Sequence, residues 1–171
     1  MKQLNFLDLA SHNRSLQSSD IHYWKLFIDG AARNNPGPAG IGMVIFKDED
    51  LVEQQGFFVG SKTNNQAEYL ALLLGLIRIK QLVGTDDLLL ILSDSELLVR
   101  QLKGRYKVKN PALKSLYEGA QRLLNGLKYD IGHILRYKNE SADALANRGI
   151  DQKIAVPQYF ITVLHDYGIS L

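Results

Sequence analysis

Apolar positions along this chain follow two rhythms, and each change of rhythm marks a new element. Trp24 to Asp29, Ala39 to Phe46 and Val52 to Gly60 are short runs rich in β-branched and aromatic residues, bounded by turn formers, so they read as strands. Lys47-Asp-Glu-Asp50 is a tight polar turn, and the three strands form an antiparallel meander. Thr63-Asn-Asn-Gln66 then has the form of a capping box. Ala67, Leu70, Ala71, Leu74 and Ile77 continue at helical spacing. The pattern predicts a helix of about five turns that runs to Val83 and stops at Gly84. Gly75 interrupts it, which points to close packing on the sheet.

The second half alternates strand and helix. Leu88 to Leu92 is a continuous apolar run read as a fourth strand, followed by Ser93-Asp94-Ser95 and a helix to Leu102. A strand reached through a helix lies parallel to the first by a right-handed crossover. Asn110-Pro111 opens another helix, with Leu113, Leu116, Tyr117, Ala120, Leu123 and Leu124 on its apolar face, and Gly126 ends it. Tyr129 to Leu135 reads as a last strand, and Asn139 to Ile150 as a last helix with Ala142, Leu145 and Ala146 turned inward. Residues 1–22 are mostly polar and are expected to form a loose extension. Residues 23–150 form the domain, and 151–171 a tail whose Tyr159 to Leu164 run is strand-like and must dock or pair with a partner.

Composition narrows the chemistry. At 171 residues the chain is long enough for one domain with a sizeable core. It has no cysteine, which excludes disulfides, thiolate metal sites and a Cys nucleophile, so any metal is held by oxygen or His. No apolar run is long enough to span a membrane and the N-terminus has no signal pattern, so a cytoplasmic protein is expected. A monomer is expected as well. The net charge of +2 says little about partners, but its distribution says more. Lys103, Arg105, Lys107 and Lys109 flank a helix break at Gly104 with Tyr106 among them. Such a run is either a solvated face or a phosphate-binding ridge.

Asp29 closes a strand of central character, where a carboxylate carries a desolvation cost unless a cation or donors meet it. Asp94 closes the fourth strand, parallel to the first, and the C-terminal ends of parallel neighbours are where α/β sheets place ligands. Glu68 lies near the start of the intervening helix, and Asp143, one turn into the last helix, can reach the same spot. Each acid alone has an ordinary explanation as a cap or a solvated residue. Four converging carboxylates cannot all stay ionised in a dry site, and hard divalent cations, Mg²⁺ or Mn²⁺, are the natural compensation. A phosphate-loop or dinucleotide reading fails, because Gly37, Gly40 and Gly42 lie between two strands and open no helix.

Taken together, Ile28-Asp-Gly-Ala-Ala-Arg-Asn-Asn-Pro-Gly-Pro-Ala-Gly-Ile-Gly42, Thr63-Asn-Asn-Gln-Ala-Glu-Tyr69, Ser93-Asp-Ser95 and Asn139-Glu-Ser-Ala-Asp143 resemble, in order, the four motifs of type 1 ribonuclease H, over residues 23–150. The resemblance implies an α/β three-layer fold with a mixed five-stranded sheet flanked by helices. It also implies metal-dependent hydrolysis of the RNA strand of RNA/DNA hybrids. Asp29, Glu68, Asp94 and Asp143 would hold two ions about 4 Å apart, leaving 5′-phosphate and 3′-hydroxyl ends. By matching position, Asn35, Asn64 and Asn65 would touch the hybrid, Thr63 a DNA-strand phosphate, and His133 would assist metal and product turnover. In place of the basic helical protrusion of many relatives stands only Gly104-Arg-Tyr-Lys-Val-Lys-Asn-Pro111, which is similar to archaeal and some bacterial forms. A binding module that has lost catalysis, or a nuclease that also cuts double-stranded RNA, are the alternatives.

Overall fold

The computed structural model describes residues 21–171, so the expected N-terminal extension lies almost wholly outside the described residues. Strands β1 (Tyr23–Ala32), β2 (Gly37–Lys47) and β3 (Asp50–Lys62) form the expected antiparallel meander. β4 (Leu88–Ser93) adds to β1 in parallel, β5 (Lys128–His133) adds to β4 in parallel, and the sheet order is β3-β2-β1-β4-β5. Five helices complete the described chain: α1 (Asn64–Leu82), α2 (Glu96–Leu102), α3 (Pro111–Leu124), α4 (Glu140–Gln152) and α5 (Gln158–Asp166).

Period-two alternation divides β1 between the two faces of the sheet. Trp24, Leu26 and Ile28 enter the main core with Ile41, Met43 and Ile45 of β2, beneath α1 and α3. Phe27 faces the other way, toward a smaller cluster built by Val44, Ala142 and Leu145 under α4. Asp29, two residues beyond Phe27, shares the α4 face. α1 is buried on nearly every side, because the sheet lies on one flank and α3 on the other. Gly75 sits where a Cβ would come within 2.7 Å of Leu26, the close packing its sequence position suggested.

Three segments differ from the expectation. β1 does not close at Asp29 but continues to Ala32 through its pairing with β2, so Asp29 stands inside that strand, just past the last β1–β4 pair at Phe27 and Leu92. β5 stops at His133, and Leu135, read as part of that strand, is exposed at the start of a 3-10 turn over Arg136–Lys138. The strand-like run Tyr159 to Leu164 is helix α5. Its β-branched Ile161 and Thr162 are exposed, whereas Phe160 and Leu164, four residues apart, are buried in the main core with Ile169. Helical spacing of the large apolar residues overrides local β preference, an ambiguity that short apolar runs always carry. The run docks on its own domain, and the preceding chain pairs briefly with β3 where the Phe58 N–H donates to the Ile154 carbonyl at 2.7 Å.

Candidate active site

Two close approaches of helix to sheet bring the acids together. A Cβ on Gly30 would lie 2.2 Å from the backbone of Ala67 and Glu68, so the first turn of α1 rests directly on the end of β1 and delivers Glu68 beside Asp29. On the opposite face, a Cβ on Gly42 would lie 2.2 Å from the Ala142 carbonyl, which lets α4 lie against β2 and carries Asp143 to the same end of the sheet. Thr63 starts α1 with the expected capping box: the Gln66 N–H donates to Thr63 Oγ1 at 3.2 Å and the Thr63 N–H to Gln66 Oε1 at 2.9 Å. Asp94 follows β4 directly, and Ser95, rather than Asp94, caps α2.

Oxygen atoms of Asp29, Glu68 and Asp94 all lie within 4.8 Å of one another. Asp143 faces the same cleft, of about 420 Å³, with Asn64, Arg136 and Asn147 also on its walls. Burial, and then the charges of Asp94 and Asp143, push the Asp29 carboxyl up to about 7, against one backbone donor at Gly30. Burial, Asp29 and Asp94 push Glu68 well above the ordinary range. Glu68 Oε2 is buried with no hydrogen-bond partner among the described residues. An all-oxygen set with an orphaned carboxylate oxygen and two carboxyls held above their ordinary pKa has the donor chemistry of a site for hard divalent cations.

The remaining expected residues are spread around this centre. Asn35 and Asn64 interlock: Asn35 Oδ1 accepts from the Asn64 N–H at 3.0 Å, and Asn64 Oδ1 from the Ala32 N–H at 2.8 Å, which ties the β1–β2 loop to α1. Asn65 is exposed beside them. His133 ends β5 with Nε2 3.2 Å from the Asp94 carbonyl. Arg105, Lys107 and Lys109 are exposed, while Lys103 Nζ lies 4.0 Å from Asp130, and none of the four lines the carboxylate cleft. Two further residues meet the acids. Arg136 Nη2 donates to Asp143 Oδ1 at 3.2 Å, and nothing in its sequence context announced it. Asn139, noted only as the start of a helix and a motif, is buried and donates to Asp94.

Residues 27–149 match the protein family described as reverse transcriptase-like. The ribonuclease HI of Halobacterium salinarum is 42% identical over 127 residues, which cover 73% of this chain and 63% of that relative, so the chain spans less than two thirds of its length. A ribonuclease H of Pseudomonas fluorescens is 34% identical over 79% of this chain and 95% of its own length. Among solved structures, LC11-RNase H1 in complex with RNA/DNA hybrid superposes with a TM-score of 0.71 at 38% identity, covering 75% of this chain and 97% of that one.

Proposed function

The chain belongs to the type 1 ribonuclease H family, and we propose that it is a metal-dependent endonuclease that cuts the RNA strand of RNA/DNA hybrids. The observation that carries this reading is the meeting of Asp29, Glu68 and Asp94 oxygens within 4.8 Å, with Glu68 Oε2 buried and unpartnered. Asp29, Glu68, Asp94 and Asp143 would hold the cations, whose charge would relieve the repulsion felt by Asp29 and Glu68. A pair of divalent cations, Mg²⁺ or Mn²⁺, would supply the positive charge that makes water a nucleophile at neutral pH and stabilises the departing 3′ oxygen, leaving a 5′ phosphate.

The chain's own groups do the rest. Asn35, on the β1–β2 loop, is tied to Asn64 in the first turn of α1, with Asn65 next to it, and the three offer amides to the 2′-hydroxyls of the RNA strand across its shallow minor groove. Thr63 contributes a DNA-strand phosphate contact, and His133, beside the Asp94 backbone, assists release of metal and product. Arg105, Lys107 and Lys109, with Lys103 behind them, extend the contact along the backbone by charge alone. The reading includes a monomeric enzyme acting in the cytoplasm; no helix among the described residues is long and apolar enough to cross a membrane.

One sequence prepared as RNA/DNA hybrid, double-stranded RNA and double-stranded DNA, each with Mg²⁺, Mn²⁺ or chelator, tests this. Metal-dependent cutting of the RNA strand of the hybrid is expected. Binding without cutting in every metal would convert the assignment to a binding module, and equal cutting of double-stranded RNA would widen the substrate.

A further inference from the structure

Asn139 stands at a junction between three of the four acids. It is 1% exposed. Its Nδ2 donates both to the Ile28 carbonyl, at 2.9 Å, and to Asp94 Oδ1, at 2.8 Å. Ile28 immediately precedes Asp29, so one amide spans from the strand that carries Asp29 to the carboxylate that ends the neighbouring strand. Its backbone carbonyl accepts the Asp143 N–H at 3.1 Å, the bond that opens α4 and sets where Asp143 stands on the helix. Its own N–H donates to the Arg136 carbonyl at 2.9 Å, tying in the 3-10 turn whose arginine reaches Asp143.

The amide can take only one orientation. Both groups that meet Nδ2, a carbonyl and a carboxylate, are acceptors, so a rotated amide would set oxygen against two oxygens. In the orientation present, Asn139 Oδ1 is buried and has no partner among the described residues. An unpaired buried acceptor costs stability, so the Asn139 amide gives up part of what its two donor bonds contribute. It engages one oxygen of Asp94, an acid of the three-carboxylate cluster, and the β1 backbone carbonyl beside it.

We propose that Asn139 is a positioning residue of the carboxylate cluster, which orients Asp94 and aligns it with Asp29 and Asp143 for cation binding. This rests on the metal site described above. Groups that orient metal ligands from behind typically alter metal affinity or turnover by about 10-fold to 100-fold when removed. Asn139→Ala and Asn139→Ser are compared with the unaltered chain for Mn²⁺ affinity by calorimetry without substrate, for kcat and KM on hybrid across Mg²⁺ concentrations, and for thermal midpoint in chelator. Asn139→Ala is expected to weaken Mn²⁺ binding and lower kcat by about 10-fold or more with KM little changed. Asn139→Ser, whose single hydroxyl donor can serve Asp94, should recover part of both.

Wild-type Mn²⁺ affinity and kcat in the alanine variant would overturn the proposal, even if its thermal midpoint fell, because that pattern belongs to a structural residue. Failure of the unaltered chain to bind Mn²⁺ or cut hybrid would instead strike the functional reading itself. Should neither variant fold, the assigned Asn139 side-chain amide resonances of the unaltered protein are followed during a Mg²⁺ titration. They should move in step with metal occupancy, and resonances that stay still at saturation would overturn the proposal.

Discussion

The opposite ends of β1 each bury an aspartate, and the fold treats the two in contrary ways. Near the start of the strand, Asp87 is 6% exposed and is met by three donors: the His22 N–H at 3.0 Å, the Trp24 indole N–H at 2.8 Å and the Gly84 N–H at 2.8 Å. Burial pushes its carboxyl up, yet these bonds outweigh burial and hold it below the usual carboxylate range. At the other end Asp29 is 5% exposed, has one backbone donor to set against its acidic neighbours, and is pushed up to about 7. A carboxylate ringed by donors closes a structure. One ringed by carboxylates beside an open cleft is stable in its charged form only when something else brings positive charge. The difference separates an acid that serves the fold from one that serves chemistry, although both are nearly buried on the same strand pair.

The largest expected effect breaks the comparison at the cleft. Asp29→Asn should reduce cleavage on the order of a thousandfold or more, since a cation ligand worth several kcal/mol is lost, while metal-free stability at neutral pH rises. Undiminished turnover in this variant would remove Asp29 from the site. The pH dependence of stability carries the same contrast. In chelator, the folded chain keeps a proton on Asp29 up to about pH 7 that the unfolded chain releases near pH 4, so stability should fall as pH rises between these values. The share due to Asp29 is on the order of 4 kcal/mol and is removed in Asp29→Asn, where only the share due to buried Glu68 remains, and added divalent cation reverses both, as urea midpoints at each pH would read. Asp87 has the opposite sign: its stabilisation is present above the unfolded value near 4 and is lost as pH falls through the folded one.

Breaking the other end should cost stability alone. Asp87→Ala leaves an indole N–H and two backbone N–H groups unpaired, for a loss of about 2 to 4 kcal/mol, with cleavage per folded molecule unchanged. Smaller effects sharpen the boundary of the cleft. Neutralising Lys103, Arg105, Lys107 and Lys109 together should lower the log–log salt slope of hybrid binding by about 2 to 3, with Lys103 contributing least because Asp130 lies beside it. An unchanged slope would make the run mere surface. Thr63→Ala removes the capping box at a cost of about 1 kcal/mol and should also weaken hybrid binding; lost stability with unchanged affinity would leave Thr63 a cap only.

Much of this was legible in the chain, for reasons that are local. Period-two runs, the Thr63 to Gln66 box, Asn110-Pro111 and the glycines after α1 and α3 each act through near neighbours, so they announce strand, cap and stop without help. Motif order then announced the acids. Asp29 and Asp94 lie just past the last β1–β4 pair, Phe27 with Leu92, where the parallel topology sets them side by side. Other features depended on distant residues. Tyr159 to Leu164 reads as a strand because its β-branched residues speak locally, whereas burial of Phe160 and Leu164 against the core makes it helical. Arg136 has no local signature, since its partner Asp143 is brought to it by α4 settling on Gly42.

By itself, then, the sequence determined the types of the elements up to α4, the parallel joining of β4 to β1 and the identity of the acids, because propensity, capping and crossover handedness act over short stretches or by rule. Only the tertiary structure decided which carboxylates are answered and which are not. Asp87 and Asp29 look alike in the string of residues. What separates them is whether His22, Trp24 and Gly84, or Glu68, Asp94 and Asp143, are folded around them. The energy of a buried charge is a property of that surrounding arrangement, and no stretch of chain contains it.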